Sequence, residues 1–215
     1  MKDSVAEIYR DGRYAANNPD CGEENAPWKG RQILRIIEKA GIKPATICEI
    51  GCGGGGILEY LHGVMAPTVS FTGVEPMPEA YAKCTAKRRE RLTFRNGTAA
   101  EVEEVFDLVL LLDVFEHVED YMGFLRSLTR LGRQFIFHIP LDMTTQMVFR
   151  DEPILRVRRQ VGHLHYFSKN TALATLRDTG YEIQDWFYSD TRGASYSPLR
   201  TRLMRLPRRC LMKIA

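Results

Sequence analysis

Glu49 and the five glycines within positions 51–56 are the residues of this chain whose types and spacing point most directly to chemistry. They follow Ile47, Cys48 and Ile50, short apolar residues that suit a buried strand, and they precede Ile57–His62, good helix formers stopped by Gly63. Strand, glycine turn and helix in that order bring a polar ligand against bare backbone, because no side chain stands between the two. Gly51, Gly53 and Gly56 fit the G-x-G-x-x-G dinucleotide fingerprint, while Glu49, Gly51, Gly53 and Gly55 fit an acid-x-G-x-G-x-G pattern. The glycines alone do not decide between them. A carboxylate at the end of the first strand is out of place beside a pyrophosphate and suits a ligand carrying a cationic amine.

A second carboxylate, Glu75, ends the next apolar run, 20 residues after Gly55, where it is placed to accept hydrogen bonds from two ribose hydroxyls. Four histidines are candidate bases. His117 follows the fourth strand closely. His138 alternates with Ile136 on a buried strand and reads as structural. His163 and His165 share a face, yet no third ligand stands near them in sequence, so no metal site is expected. The five cysteines are scattered without a C-x-x-C, which reads as reduced thiols of a cytoplasmic protein, neither a disulfide framework nor a zinc site.

These groups need a scaffold to hold them. Lys29–Ala40 carries one apolar helical face, Ile33, Leu34, Ile36 and Ile37. Strands are expected at 46–50, 69–74, 92–95, 106–113, 135–139 and 181–188, with helices at 57–62, 78–91, 120–131 and 169–179 between them. The basic residues of 78–91 read as a solvated helix face. The run Phe106–Asp113 is apolar throughout between its two aspartates, as in a strand buried on both faces of a parallel sheet. The alternation predicts an α/β fold, a doubly wound, mostly parallel, Rossmann-like sheet with helices on both faces. Residues 1–191 read as one domain. In it, 1–28 is an irregular lead-in with Tyr9, Tyr14 and Trp28, and 141–165 is an insertion at the carboxyl edge of the sheet, placed to cover a substrate.

Composition sets the outer limits. With 44% hydrophobic and 27% charged residues the chain is globular, and no apolar run is long enough to span a bilayer. The polar N-terminus lacks the apolar centre of a signal peptide. The net charge of +3 hides an asymmetry, since residues 192–215 hold seven cations and no acid. The remainder is mildly acidic and is not expected to bind nucleic acid.

Four segments in order, ICEIGCGGGG, GVEP, FDLVLLLDVFEHV and GHLHYFSKNTALATLRDTGYEI, resemble the class I S-adenosylmethionine-dependent methyltransferases over roughly residues 28–188. The last two look like the small-molecule branch, with its ubiquinone-pathway, methionine-pathway and polysaccharide-cluster enzymes. The resemblance implies that Glu49, Gly51, Cys52, Gly53 and Gly55 wrap the methionine end of S-adenosylmethionine. Glu75 would hold the ribose, Pro76 and Met77 would lie against the adenine, and Thr98 and Ala99 near its edge. Asp113 and Val114 would face the methionine portion and the transferred methyl. The family's seventh strand has no β-rich counterpart after residue 191, so the sheet is expected to be incomplete.

The activity so implied is methyl transfer to a small-molecule acceptor, a hydroxyl of a sugar, a lipid-linked or a quinone-like compound. His117 is the candidate base if that hydroxyl needs one. Arg150, Arg156, Arg158 and Arg159 would suit an anionic acceptor. The alternative is a non-catalytic cofactor-binding partner subunit that acts through its basic tail, with a dehydrogenase a distant third. The tail's apolar residues, Leu199, Leu203, Leu206, Cys210 and Ile214, recur at helical spacing, which suits packing on the domain or on a second copy, or peripheral contact with an anionic membrane. A monomer or homodimer is expected.

Overall fold

A computed structural model of the chain describes residues 19–150 and 152–189. Its centre is a five-stranded parallel sheet of order β3-β2-β1-β4-β5, formed by Thr46–Ile50, Ser70–Glu75, Leu92–Asn96, Phe106–Leu112 and Gly132–His138 as β1 to β5. The order reverses between β1 and β4, which opens a crevice at their carboxyl ends. Helices α1 (Ala26–Lys39), α2 (Gly56–Val64), α3 (Pro78–Thr85) and α4 (Tyr121–Leu128) connect or flank the strands.

Alternation along the strands explains why both faces are covered. Ile47, Leu108, Leu110 and Leu112 pack with Ile33 and Ile37 of α1 and Leu58 and Leu61 of α2. Cys48, Ile50, Val109 and Leu111 face the other way, onto Leu128 and Leu131. Helix α4 begins where Asp120 accepts a hydrogen bond from Gly123 N at 2.9 Å.

Two expectations are corrected. Helix α3 stops at Thr85 and does not run on to Arg91, and its expected basic face is solvated at Lys83, Arg88 and Arg89. Lys87 pairs with Glu23, Arg88 with Tyr81 and the Phe94 carbonyl, Arg89 with Glu59, and Arg91 with the Val69 carbonyl. The insertion contains two helices, α5 (Thr145–Arg150) and α6 (Glu152–Val161). Tyr181–Tyr188 is not a sixth strand. Its alternating aromatics dock side chain first. Tyr181 sits edge-on to Phe135 and Phe137 and donates to the Leu125 carbonyl at 2.8 Å, and Phe187 lies under Arg35 at 4.5 Å. Asp185 pairs with Lys39 at 2.6 Å. The expected basic tail, the absent seventh strand, Tyr9 and Tyr14 lie outside the described residues.

Helix α7 (Lys169–Asp178) starts as the sequence indicates, with a reciprocal capping box between Ser168 and Thr171. Ser168→Ala is expected to lower folding stability by about 1 kcal/mol, read from the urea midpoint at unchanged slope.

Candidate functional site

The turn after β1 bends because Gly51, Gly53 and Gly55 all take positive φ, at 72°, 54° and 80°. Space forbids side chains there as well. A Cβ at Gly51 would come within 2.9 Å of Val114 Cγ2, and one at Gly55 within 2.7 Å of the Phe94 ring. Gly51 N and Cys52 N both donate to Val74 O, at 2.8 and 3.2 Å, which fastens the turn to the end of β2.

Glu75 is drawn onto this turn. Its Oε2 accepts from Gly53 N at 2.8 Å and its Oε1 from Met77 N at 2.9 Å, so each oxygen keeps a second acceptor site. Burial raises its pKa against the pull of those two N–H groups. Thr98 is engaged with Glu101 through a capping box, and Ala99 is buried beside it. Cys52 contributes backbone to the turn, since its side chain is buried with Sγ 3.8 Å from that of Cys84.

Glu49 lies inside, 1% exposed, with Oε2 lacking a hydrogen-bond partner. Burial pushes its carboxyl up to about 8, opposed by the Lys29 charge and reinforced by Cys84 and Glu75. The folded protein therefore keeps a proton that the unfolded chain releases at an ordinary carboxylate pKa. That contribution to stability is complete below the ordinary value and is lost as pH rises through about 8. Glu49→Gln is expected to flatten the stability profile between about pH 5 and pH 8 by about 1–2 kcal/mol, measured by urea unfolding across that range.

Asp113, directly after β4, takes the left-handed conformation at φ 59°. Its Oδ2 accepts from Lys29 Nζ at 2.7 Å and its Oδ1 lies 2.6 Å from His138 Nδ1. Burial opposes its ionisation, but the charges of Lys29 and His138 hold it well below the usual carboxylate range. His138 Nε2 lies 3.1 Å from Ser189 Oγ, and the Trp28 ring stands edge-on to the imidazole. His138 is thus part of the site's ionic network and not a packed core histidine. Lys29 is a partner of Asp113 that the sequence reading did not single out, and a signal existed: it sits one turn before Ile33, a cation on the apolar face of α1.

His117 lies on the turn Phe115–His117 after β4, with Nδ1 3.2 Å from the Gly162 carbonyl. Burial first, then His163, pulls its pKa down to about 4, so the imidazole is neutral. His163 and His165 do not form the pair their spacing suggests. His165 Nε2 turns to the Val118 carbonyl at 2.9 Å, while His163 stands edge-on to His117 with ring centres 4.8 Å apart. The groups beside His163 are His117 and Glu116, supplied by a distant part of the sequence. Arg159, one of the four arginines expected to suit an anionic acceptor, pairs with Glu152 at 2.6 Å.

The turn, Glu75, Glu49 and Asp113 thus stand together at the carboxyl edge on either side of the switch in strand order. A family model described as a methyltransferase domain matches residues 23–185. The mitochondrial ubiquinone biosynthesis O-methyltransferase of Schizosaccharomyces pombe is 31% identical over 166 residues, covering 72% of this chain and 59% of that protein. The enzyme of that name from Pseudomonas paraeruginosa is 29% identical over 179 residues, covering 76% and 74%. A third, from Azorhizobium caulinodans, is 40% identical over 91 residues and is matched over 35% of its length. The chain therefore spans about a third to three quarters of these relatives. Among solved structures, the plantazolicin methyltransferase BpumL, crystallised with a monoazolic desmethylPZN analog and SAH, superposes with a TM-score of 0.64 over 98% of this chain and 89% of that one, at 16% identity.

Proposed function

The chain belongs to the methyltransferase-domain family, and we propose that it transfers a methyl group from S-adenosylmethionine to a hydroxyl of a small, quinone-like acceptor. The observation that carries this reading is the Glu75 carboxylate, held on the glycine turn by Gly53 N and Met77 N with an acceptor site left on each oxygen. That arrangement fits the paired hydroxyls of a ribose. The unpartnered oxygen of Glu49 fits the methionine amine. Bound there, the cofactor supplies a methyl already activated on a sulfonium, so the protein's task is positioning and exclusion of water.

Asp113, locked by Lys29 and His138, fixes the end of β4 against which the acceptor would be oriented. The quinone-like class rests on the names of the relatives and on the apolar residues that the insertion exposes, Met143, Val148, Phe149 and Leu155. The neutral imidazole of His117 meets the first requirement of a base, and equally of a metal ligand.

Radiolabelled S-adenosylmethionine incubated with catechols and with sugar alcohols tests the reading, with transfer to the catechols expected. Cofactor binding by calorimetry with no transfer to either class would favour the non-catalytic partner subunit. Binding of NADH in place of S-adenosylmethionine would overturn both.

A further inference from the structure

A cavity of about 100 Å³ opens between α1, the ends of β4 and β5 and residues 186–189. That holds several water molecules, or one small ring in their place. Ile33, Leu112 and Ile136 line it with apolar surface, while Lys29, His138 and Ser189 supply polar groups. A hydroxyl-bearing ring calls for that combination, an apolar bed and a few convergent polar atoms.

His138 brings both of its nitrogens to bear there. Nδ1 lies 2.6 Å from Asp113 Oδ1, and Nε2 lies 3.1 Å from Ser189 Oγ. Asp113 is held ionised, so it can only accept, and the shared proton belongs to His138 Nδ1. In the neutral imidazole Nε2 then carries the lone pair, and the Ser189 hydroxyl donates to it. A carboxylate behind one nitrogen fixes the tautomer and stabilises the imidazolium that forms when the other nitrogen takes a proton from a hydroxyl. The imidazoles of His117 and His165 are placed differently, the first with Nδ1 on the Gly162 carbonyl and the second with Nε2 on the Val118 carbonyl.

The surrounding charges suit a proton transfer. Asp113 faces the imidazole from the end of β4, and Lys29 reaches Asp113 from α1, with Glu49 and Glu116 acting on Lys29 in turn. An ammonium has three donors and Asp113 takes one at 2.7 Å, so Lys29 has donors to offer an oxyanion in the same cavity. The His138 side chain is 23% exposed, which leaves a ligand a way in.

We propose that this cavity receives the acceptor, a small phenol-like ring, and that His138, positioned by Asp113, is the base that takes its hydroxyl proton. Ser189 Oγ marks the place where the acceptor's oxygen sits.

The methyl step rests on the methyl-transfer reading, whereas the proton transfer does not. The hydroxyl proton passes to His138 Nε2. The acceptor oxygen forms the new bond to the methyl carbon as the carbon–sulfur bond breaks, and that electron pair stays on sulfur, leaving S-adenosylhomocysteine. The imidazolium then releases its proton to solvent.

The test uses 4-nitrocatechol, whose absorption moves to longer wavelength when it ionises. It is titrated into full-length protein without cofactor, at a pH where the free dye is neutral. Saturable appearance of the ionised form at one equivalent is expected. His138→Gln keeps a donor for Asp113 and so keeps the fold, and it should lower the ionised signal at least ~10-fold. Asp113→Asn should lower it too, a spectral change that a merely structural role would not produce. Ser189→Ala should keep it. No saturable ionised dye in the wild type, or an equal signal in His138→Gln, would overturn the site. With S-adenosylmethionine present, His138→Gln should lower kcat for catechol at least ~100-fold at unchanged cofactor Kd. Transfer at the wild-type rate in that variant would overturn the role as base. Ionised dye in a wild type that transfers no methyl would support the site and count against the methyl-transfer reading alone.

Discussion

Asp113→Ala is expected to lower folding stability by about 3 kcal/mol, the largest effect of any single substitution at the site. The carboxylate is the partner of Lys29, whose side chain is 15% exposed, and of His138. Removing it leaves the ammonium largely buried without a counter-charge. Breaking a fully buried pair costs about 3–5 kcal/mol, and because Asp113 itself is 31% exposed, solvent brings this pair to about 2 kcal/mol. Alanine at φ 59° adds roughly 1 kcal/mol of backbone strain that aspartate tolerates better. Asp113→Asn keeps the shape and the backbone tolerance, so it should show the electrostatic part alone. Lys29→Met paired with Asp113→Asn closes a double-mutant cycle. A coupling energy below about 0.5 kcal/mol would show that the two residues do not depend on each other.

The second large effect is on binding. Glu75→Ala should weaken S-adenosylmethionine by about 2–3 kcal/mol, roughly 30- to 150-fold in Kd, through the loss of charge-assisted hydrogen bonds. The same change strips Gly53 N and Met77 N of their acceptor, so the turn loosens as well. Glu75→Gln separates these contributions, because its amide oxygen can still take one backbone N–H. Calorimetric titration of both variants measures this, and wild-type affinity in Glu75→Ala would remove the basis for placing the ribose there.

These two residues also mark how far the sequence could be read. Glu75 was legible because strand, glycine turn, helix and strand follow in unbroken order, and local spacing alone fixes which carboxylate meets the turn. Asp113 was legible as the polar stop to a fully apolar strand. Its partners were not, because Lys29 and His138 reach it from elements far apart in the chain, and only the sheet order brings them together. Glu116 illustrates the same limit, since a glutamate beside a histidine after a strand looks like any solvated turn until His163 closes over it. The misread strand at 181–188 failed for a different reason. Alternating aromatics satisfy the period of a strand, but here Tyr181 finds its place on β5 and Phe187 on α1, and no backbone ladder is needed.

The strand order also constrains the time course of folding. The pair of β1 with β2 joins Ile47 to Phe71 across a short crossover, whereas the pair of β1 with β4 joins Ile47 to Leu108 across a loop more than twice as long. Closing longer loops costs more entropy before any contact rewards it, and parallel sheets built this way assemble slowly. The glycine turn and Glu75 belong to the early pair, and Asp113 and the cluster behind it to the late one. A nascent chain is therefore expected to complete the half of the crevice proposed for the nucleoside before the half proposed for the acceptor. A ligand touching both halves acts after the rate-limiting closure, slowing unfolding far more than it speeds refolding.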